Sequence, residues 1–476
     1  MSTGESALKA KSSSEEMSHE DKEAQQPQGP PPKVSITHPR IRKIFPNFIT
    51  QFAKAQLFLA CLIIGSFSIY WGSLYNRVGH LKGLNMLVVN QDYQTGGIGE
   101  TVLSIIESDT IAERGTWHIL RNDSEIEQFF KIDSVQNHNI SDLILTEVHH
   151  RKYWSSTYIK PNATLDQIDF YEGSSDSEGI AVQFIYETGR DIISMTPYVV
   201  STLQMIQEIF NDAFTSEIAP SLFGNLTDTA KLQLVNSGRS TVLPSFNFLD
   251  YRPYNNSVLL APLQVGLIYL ILVSFFLFNF LVDVHKIFIP HLKPLHYILQ
   301  RLFFNHLGYL FCAALITTVS SIYHVDFSVT FGKAGWVVAW LTNYLTLAAV
   351  GGANENMAML IFAYDPKFLS CWLVSFVILN VSPSFSPMAL TNHFYRYGYM
   401  MPIHHANELF KVIFLNIWKG DMGRSYGVLV AWVVLNILLM PFILKHVGQR
   451  MMKAQMEQKR IALEQARAQI EAEQKM

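Results

Sequence analysis

Leu57-Phe-Leu-Ala-Cys-Leu-Ile-Ile-Gly-Ser-Phe-Ser-Ile-Tyr-Trp-Gly-Ser-Leu-Tyr75 carries no charged residue over nineteen positions. A membrane helix needs ~20 mostly apolar residues, so this run reads as a first span. Met1 to Pro46 is polar and rich in Ser, Glu and Pro, unlike the short basic and apolar leader of a cleavable signal. The run is therefore expected to act as a signal anchor. Arg40, Arg42, Lys43 and Lys54 precede it. Positive residues stay in the cytosol, which places the N-terminus inside.

Working outward, further apolar runs follow at Val258–Val282, Leu302–Ile322, Trp336 to about Phe362, Phe368–Leu390 and Tyr426–Leu444. His285, Lys286, His291, Lys293, His296 and Arg301 read as a basic cytosolic loop after the second run, and Lys445, Arg450 and Lys453 as inner residues after the sixth. The expectation is a polytopic α-helical membrane protein of six spans with both termini cytosolic. A large extracytoplasmic α/β or α+β domain separates spans one and two. The divisions are a disordered cytosolic tail (1–50), the first span (51–75), a glycosylated domain (76–257), a five-span bundle (258–445) and a helical cytosolic tail (446–476).

Charge agrees with that division. Asn76 to Asn256 holds 12 Lys+Arg against 23 Asp+Glu, a balance of −11, whereas the rest of the chain carries +8. So acidic a domain does not suit nucleic acid, which requires basic surface. Five Asn-X-Ser/Thr sequons, at Asn122, Asn139, Asn162, Asn225 and Asn255, all fall in the same segment. Such sites are glycosylated only outside the cytosol. Another, Asn380, lies within the fifth apolar run. The cysteines Cys61, Cys312 and Cys371 all sit in apolar runs and read as small buried hydrophobes.

Within the domain, Leu84–Val89, Trp117–Leu120, Ile140–Val148 and Ile180–Tyr186 read as strands. Gly96–Ser108 and Thr196–Phe214 read as helices, and Ser124 with Glu127 as a capping box. His149-His150 and His404-His405 are poor metal ligands, because neighbours on a strand point to opposite faces. No catalytic triad, nucleophile elbow or convincing carboxylate pair is present, so no enzymatic activity, cofactor or metal is expected. In the tails, Ser12, Ser13 and Ser14 beside Glu15 and Glu16 are candidate phosphorylation sites or simply a solvated segment. Gly448–Met476 reads as a solvated helix, with a weakly patterned coiled coil as the alternative.

Two polar breaks interrupt the apolar pattern. Gly351-Gly-Ala-Asn-Glu-Asn356 places Asn354, Glu355 and Asn356 in the fourth run. An ionisable group at membrane depth is a functional candidate, unless the helix ends near Gly352 and leaves Glu355 at the cytosolic interface. Asn380-Val-Ser-Pro-Ser-Phe-Ser-Pro-Met388 places Asn380, Ser382, Pro383 and Pro387 in the fifth. Broken helices line substrate paths in transporters, and they also kink helices against neighbours. Asn407–Ile417 reads as an amphipathic helix on the outer membrane face, or as a helix packed in the bundle.

One span, a large outer domain and five more spans resemble the phage-infection-protein branch of the type-2 ABC-transporter membrane domains. Leu87-Val-Val-Asn-Gln-Asp92 is similar to that branch's strand ending in an Asn-X-Asp step. Gly351-Gly-Ala-Asn-Glu-Asn356, Asn380-Val-Ser382 and Phe394-Tyr-Arg-Tyr-Gly-Tyr399, followed by Pro402 and Ile403, resemble the fungal nitrosoguanidine-resistance protein family. The resemblance implies a fungal plasma-membrane protein, with the endoplasmic reticulum or another secretory membrane as the alternative. It also implies export of toxic compounds such as nitrosoguanidine. No Gly-x-x-x-x-Gly-Lys-Ser/Thr phosphate loop occurs, so the chain is expected to lack its own ATPase, with a homodimer or a separate energising partner as the expected assembly. Membrane lipids and small toxic compounds are the expected partners. A non-transporting regulator or scaffold, affecting lipid distribution or pump trafficking, is the competing reading.

Overall fold

A strand covered on both faces reads as a continuous apolar run, and Met86-Leu-Val-Val89 is one. The computed structural model, which describes residues 39–176 and 179–474, puts Met86 and Val88 into one core and Leu87 and Val89 into another. The N-terminal tail through residue 38, with its serines, lies outside the described residues. Of the described residues, 39–63 belong to one compact unit, and those from Ile64 onward to a second, which holds the sheet and the helical bundle.

The chain starts with α1 (Pro39–Leu74). The domain follows as β1 (Asn85–Asn90), α2 (Ile98–Glu107), α3 (Asp109–Ala112), β2 (Thr116–Leu120), α4 (Asp123–Phe130), α5 (Ile140–His149), β3 (Ser155–Ile159), α6 (Ala163–Glu172) and β4 (Val182–Tyr186). It closes with α7 (Ser201–Ala213), α8 (Ala219–Asn225), α9 (Asp228–Ser237) and β5 (Phe246–Asp250). The sheet order is β2-β1-β3-β4-β5. β1 is parallel to β2 and β3, β3 and β4 are antiparallel, and β4 and β5 are parallel. Helices α2 and α7 cover one face; α4 and α5 cover the other.

Three local expectations change. Ile140–Val148 is helix α5, not a strand: Ile140, Ile144 and Val148 are the buried positions, at spacings of four, and the Asn139 side chain accepts from the Ser141 amide at its start. The capping pair is Asn122 with Glu125, not Ser124 with Glu127. Asn122 Oδ1 accepts from the Glu125 amide, and the Glu125 carboxylate accepts in turn from the Arg121 amide. Strands β3 and β5 come without a forecast. β3 is Ser-Ser-Thr-Tyr-Ile, wholly buried yet lacking any apolar alternation.

In open sheets of this order the ligand crevice lies beyond the carboxyl ends of β1 and β3, where the chain switches direction. Here a carboxylate of the protein fills that point. Asp92 accepts from the Gly99 amide at 2.9 Å, the Thr164 amide at 3.3 Å and the Thr164 hydroxyl at 2.5 Å. Asn90 Oδ1 holds the Asp92 amide at 3.1 Å. The Asn-X-Asp step thus ties the starts of α2 and α6 to the end of β1.

The bundle comprises α10 (Gly266–Lys286), α11 (Pro294–Ile322), α12 (Ser328–Phe331), α13 (Gly335–Tyr364), α14 (Leu369–Val381), α15 (Pro402–Leu415) and α16 (Met422–Gln474). Among the described residues five helical segments are long and apolar enough to cross a membrane: those of α1, α10, α11, α13 and α16. Phe280, Phe303, Phe311 and Phe442 point outward from them, a surface suited to lipid rather than water. The chain is an integral membrane protein. α13 is the central helix: 56% of its most apolar window is buried, against 33% or less for the others.

The expected fifth span is the main departure. α14 stops at Val381 after thirteen residues, about 20 Å of helix, whereas the bilayer core is ~30 Å thick. Turns and short 3₁₀ segments replace it up to Met400. The amphipathic surface helix is also revised. In α15 both Phe410 and Lys411 are buried, as are nearly all their neighbours, so the packed alternative holds. Cys61 is exposed and Cys312 and Cys371 are partly so, rather than buried.

Candidate functional site

Close helix approach in a membrane needs small side chains, and α13 supplies Ala348, Ala349, Gly351, Gly352 and Ala353. A Cβ on Gly351 would come within 2.6 Å of the Tyr309 ring, and one on Gly352 within 2.7 Å of Asn436 Cβ. With α11 and α16 drawn this near, the next three residues reach neighbours directly. Successive helical residues turn by about 100°, so Asn354, Glu355 and Asn356 face three directions.

Asn354 Nδ2 donates to the Ile271 carbonyl at 3.2 Å and to Ser274 Oγ at 3.0 Å on α10. Its Oδ1 accepts from Trp372 Nε1 on α14 at 3.1 Å. Glu355 receives Arg301 Nε at 2.5 Å and Asn305 Nδ2 at 2.6 Å from α11. Asn356 donates to the Asn436 carbonyl on α16 at 3.0 Å, and Asn436 returns a bond to the Ala349 carbonyl at 2.9 Å. All three are buried. A second tier extends the network: Asn305 Oδ1 meets His285 Nε2 at 2.9 Å, and Tyr297 Oη accepts from Arg301 at 3.1 Å. One polar break therefore bonds α13 to four neighbours.

Two readings of the sequence change here. α13 does not end at Gly352 but continues to Tyr364, so Glu355 lies inside the bundle. Arg301 and His285 are not loop residues. α11 begins at Pro294, so Arg301 falls two turns in, and both side chains are buried. The signal was a lone Arg directly before an apolar run, hidden by counting it with the neighbouring basic ones. Asn305, Trp372 and Asn436 carried no separate signal. The cavity against Glu355 and Tyr309 holds about 10 Å³, room for one water at most.

The second break closes the end of α14. Asn380 Nδ2 donates to the Phe376 carbonyl at 2.9 Å and Ser382 Oγ to the Ile378 carbonyl at 2.7 Å. Ser384 Oγ bonds the Asn380 carbonyl, and Asn407 Nδ2 caps the Ser384 carbonyl at 2.8 Å. Pro383 packs on Gly398, where a Cβ would come within 2.3 Å of the proline ring. Pro387 leads into the short 3₁₀ turn at Met388–Leu390. Asn354 touches α14 at Trp372, eight residues before Asn380, about 12 Å along the helix. The two breaks are thus neighbours on α14 but do not share one cavity.

A larger space lies elsewhere. About 640 Å³ opens between the start of α10, the end of α11 and α15. Pro262, Val265, Tyr269, Val319, Phe410 and Phe414 line it, with Asn343 as one of its few polar residues. Asn343 Nδ2 is already bonded to Thr317 Oγ1 at 2.9 Å. The groove is apolar, of the size that small ligands occupy.

The domain is fastened to the bundle by specific bonds. Arg151, in a left-handed conformation with φ 63°, donates to Glu408 Oε2 of α15 at 2.5 Å. The His150 ring lies 3.9 Å from the Trp418 ring. Apart from the domain, Tyr395 Oη in the segment after α14 donates to the Ile69 carbonyl of α1 at 2.7 Å. His149 bonds Glu187 at 2.6 Å. Burial pushes the Glu187 carboxyl up to about 7, against the pull of Arg190, Arg252 and Arg151. Asn122, Asn139, Asn162 and Asn255 are exposed on this domain, whereas Asn380 is fully buried.

Comparison with known proteins follows the same outline. The chain is 31% identical over 449 residues to an uncharacterized endoplasmic reticulum membrane protein of Saccharomyces cerevisiae, covering 92% of this chain and 87% of the yeast one. No solved structure matches. The model of a family described as a protein of unknown function, DUF3533, matches residues 55–438, and the chain belongs to that family.

Proposed function

We propose that this protein is a permease for apolar or amphipathic molecules, toxic compounds such as nitrosoguanidine or lipids, that enter by the groove beside α10, α11 and α15. The observation that carries this reading is the groove: about 640 Å³ of apolar-lined space in the wall of a membrane bundle, where the bilayer supplies such molecules directly. The yeast relative is named for the endoplasmic reticulum membrane; we place this chain there first, with the plasma membrane second. In this reading the domain from β1 to β5 faces the lumen and carries glycans on its exposed sequons. Energy comes from a partner protein or from a gradient.

A non-transporting scaffold is favoured by a different observation. Glu355 and its flanking asparagines are hydrogen-bonded to four neighbouring helices, with space for at most one water beside Glu355. That arrangement suits a fixed frame better than a conduit. Efflux of a labelled alkylating compound separates the two, comparing cells with the wild type, Val265→Trp, Val319→Trp or no protein at matched expression. The permease reading expects faster efflux with wild type and a loss in both groove-filling variants. Equal efflux in all cells, with resistance still differing, leaves the scaffold.

A further inference from the structure

The α/β domain is acidic overall, yet where it meets the bundle the wall of a cavity of about 300 Å³ carries five cationic side chains against two carboxylates. Arg151 and Lys152 come from the turn before β3, Arg190 from the 3₁₀ turn that follows β4, Lys411 from α15 and Arg424 from the start of α16. Only Asp191 and Glu408 face them. Glu408 is shared between Arg151 at 2.5 Å and Lys411 at 2.9 Å. Asp191 is engaged by backbone, accepting from the Ser194 amide at 2.7 Å. Behind the wall, Asp421 pairs with Arg424 at 3.2 Å and lies 3.6 Å from Arg151, and Glu147 pairs with Lys152.

Arg190 is left without an ion pair among the described residues. It stacks 3.9 Å above the Trp154 ring and donates to the Tyr153 and Arg151 carbonyls. Those two bonds use two of the five donors a guanidinium offers. Arg151 Nε is also buried with no partner. On the wall itself five cations thus meet two carboxylates, and Arg190 is the guanidinium without an ion pair among the described residues. The break after α14 adds Ser384, Ser386 and Pro387 to the wall. Irregular backbone at a bundle's edge is tolerated where it is packed in protein or lines a cavity.

We propose that this cavity binds a phosphate group, with Arg190 and Lys411 as principal donors. Planar guanidinium and compact ammonium together are the usual pair for a tetrahedral oxyanion. The site stands apart from the apolar groove and does not depend on the permease reading. The phosphate belongs either to a free anion or to a lipid headgroup.

The full chain in detergent micelles would be titrated calorimetrically with inorganic phosphate and with a short-chain phosphatidic acid. We expect saturable binding, weakened about tenfold by Lys411→Gln, since a charge-assisted bond is lost. Arg424→Glu at the exposed rim should also weaken it, with the melting temperature unchanged. Tighter binding of the lipid than of inorganic phosphate assigns the site to a headgroup; equal binding assigns it to a free anion. No saturable binding of either probe overturns the proposal. So does binding that Lys411→Gln and Arg424→Glu both leave intact while the proteins melt normally.

Discussion

Asp92 in the α/β domain and Glu355 in the bundle are both buried carboxylates, held by opposite means. Asp92 takes backbone amides of Gly99 and Thr164 together with one hydroxyl. Those amides are free because each sits at the start of a helix, where no intrahelical acceptor exists. Glu355 lies mid-helix among other mid-helix residues, whose amides are all engaged. Only side chains can reach it, so Arg301 and Asn305 do. A mixed α/β core can satisfy a charge with its backbone. A membrane bundle must import a second charge, which makes the bundle's solution more fragile to single changes.

The largest expected effect follows from that fragility. Arg301→Ala leaves the Glu355 charge buried without its partner, at a cost of about 3–5 kcal/mol. Replacing both, as Arg301→Met with Glu355→Met, should recover most of it, since a buried pair is often no better than an apolar one. Thermal unfolding of the purified protein reads both. If Arg301→Ala melts like wild type, the two regions do not differ in the way argued.

Glu187 sharpens the contrast within the domain, being a carboxylate without such backbone support. Its pKa stands at about 7 folded against 4.5 unfolded. The group's stabilising contribution is thus fully present below pH 4.5 and lost as pH rises through 7, worth about 3 kcal/mol in all. Glu187→Gln should therefore be more stable than wild type at pH 8 by up to that amount, and nearly equal at pH 5. His149, lowered by burial, works in the opposite direction, so the melts are best repeated with His149→Ala present. Identical pH profiles for wild type and Glu187→Gln would remove this carboxylate from the account.

For Asp92→Ala the loss is smaller, about 2 kcal/mol, because a neutral hydroxyl and two helix starts lose one acceptor but stay near solvent-accessible loops. Asp92→Asn should keep about half of it. Hydrogen exchange at α2 and α6 would show the damage locally; uniform exchange across the sheet would argue against a capping role.

How far these sites were legible differs between the regions for the same physical reason. Long apolar runs announce membrane helices, so α1, α10, α11, α13 and α16 were readable from composition. Leu84–Val89 was readable because both faces of β1 are covered. β3 was not, since Ser155, Ser156 and Thr157 are buried by position rather than by apolarity. Ile140–Val148 misled because its apolar density masked a spacing of four. Asn354, Glu355 and Asn356 stood out against an apolar background, yet their partners Arg301 and Asn436 did not. A break in a pattern shows where a polar group lies; only the fold shows what it meets. The half-length α14 was hidden because Pro383 and Pro387 are compatible with a kinked full span.

The smallest effect separates frame from path. Asn356→Leu removes a single amide bond to the Asn436 carbonyl, and side-chain bonds between membrane helices average about 0.6 kcal/mol. Melting should fall by about that amount, and Asn354→Leu, with three bonds, by somewhat more. A frame of this kind predicts that efflux tracks the melt: small loss of stability, small loss of function. If Asn356→Leu instead abolishes efflux while the protein melts within a degree or two of wild type, Asn356 acts on the transported molecule. The bonds to α16 would then describe a resting arrangement that opens, and the comparison with Asp92 would hold for stability but not for function.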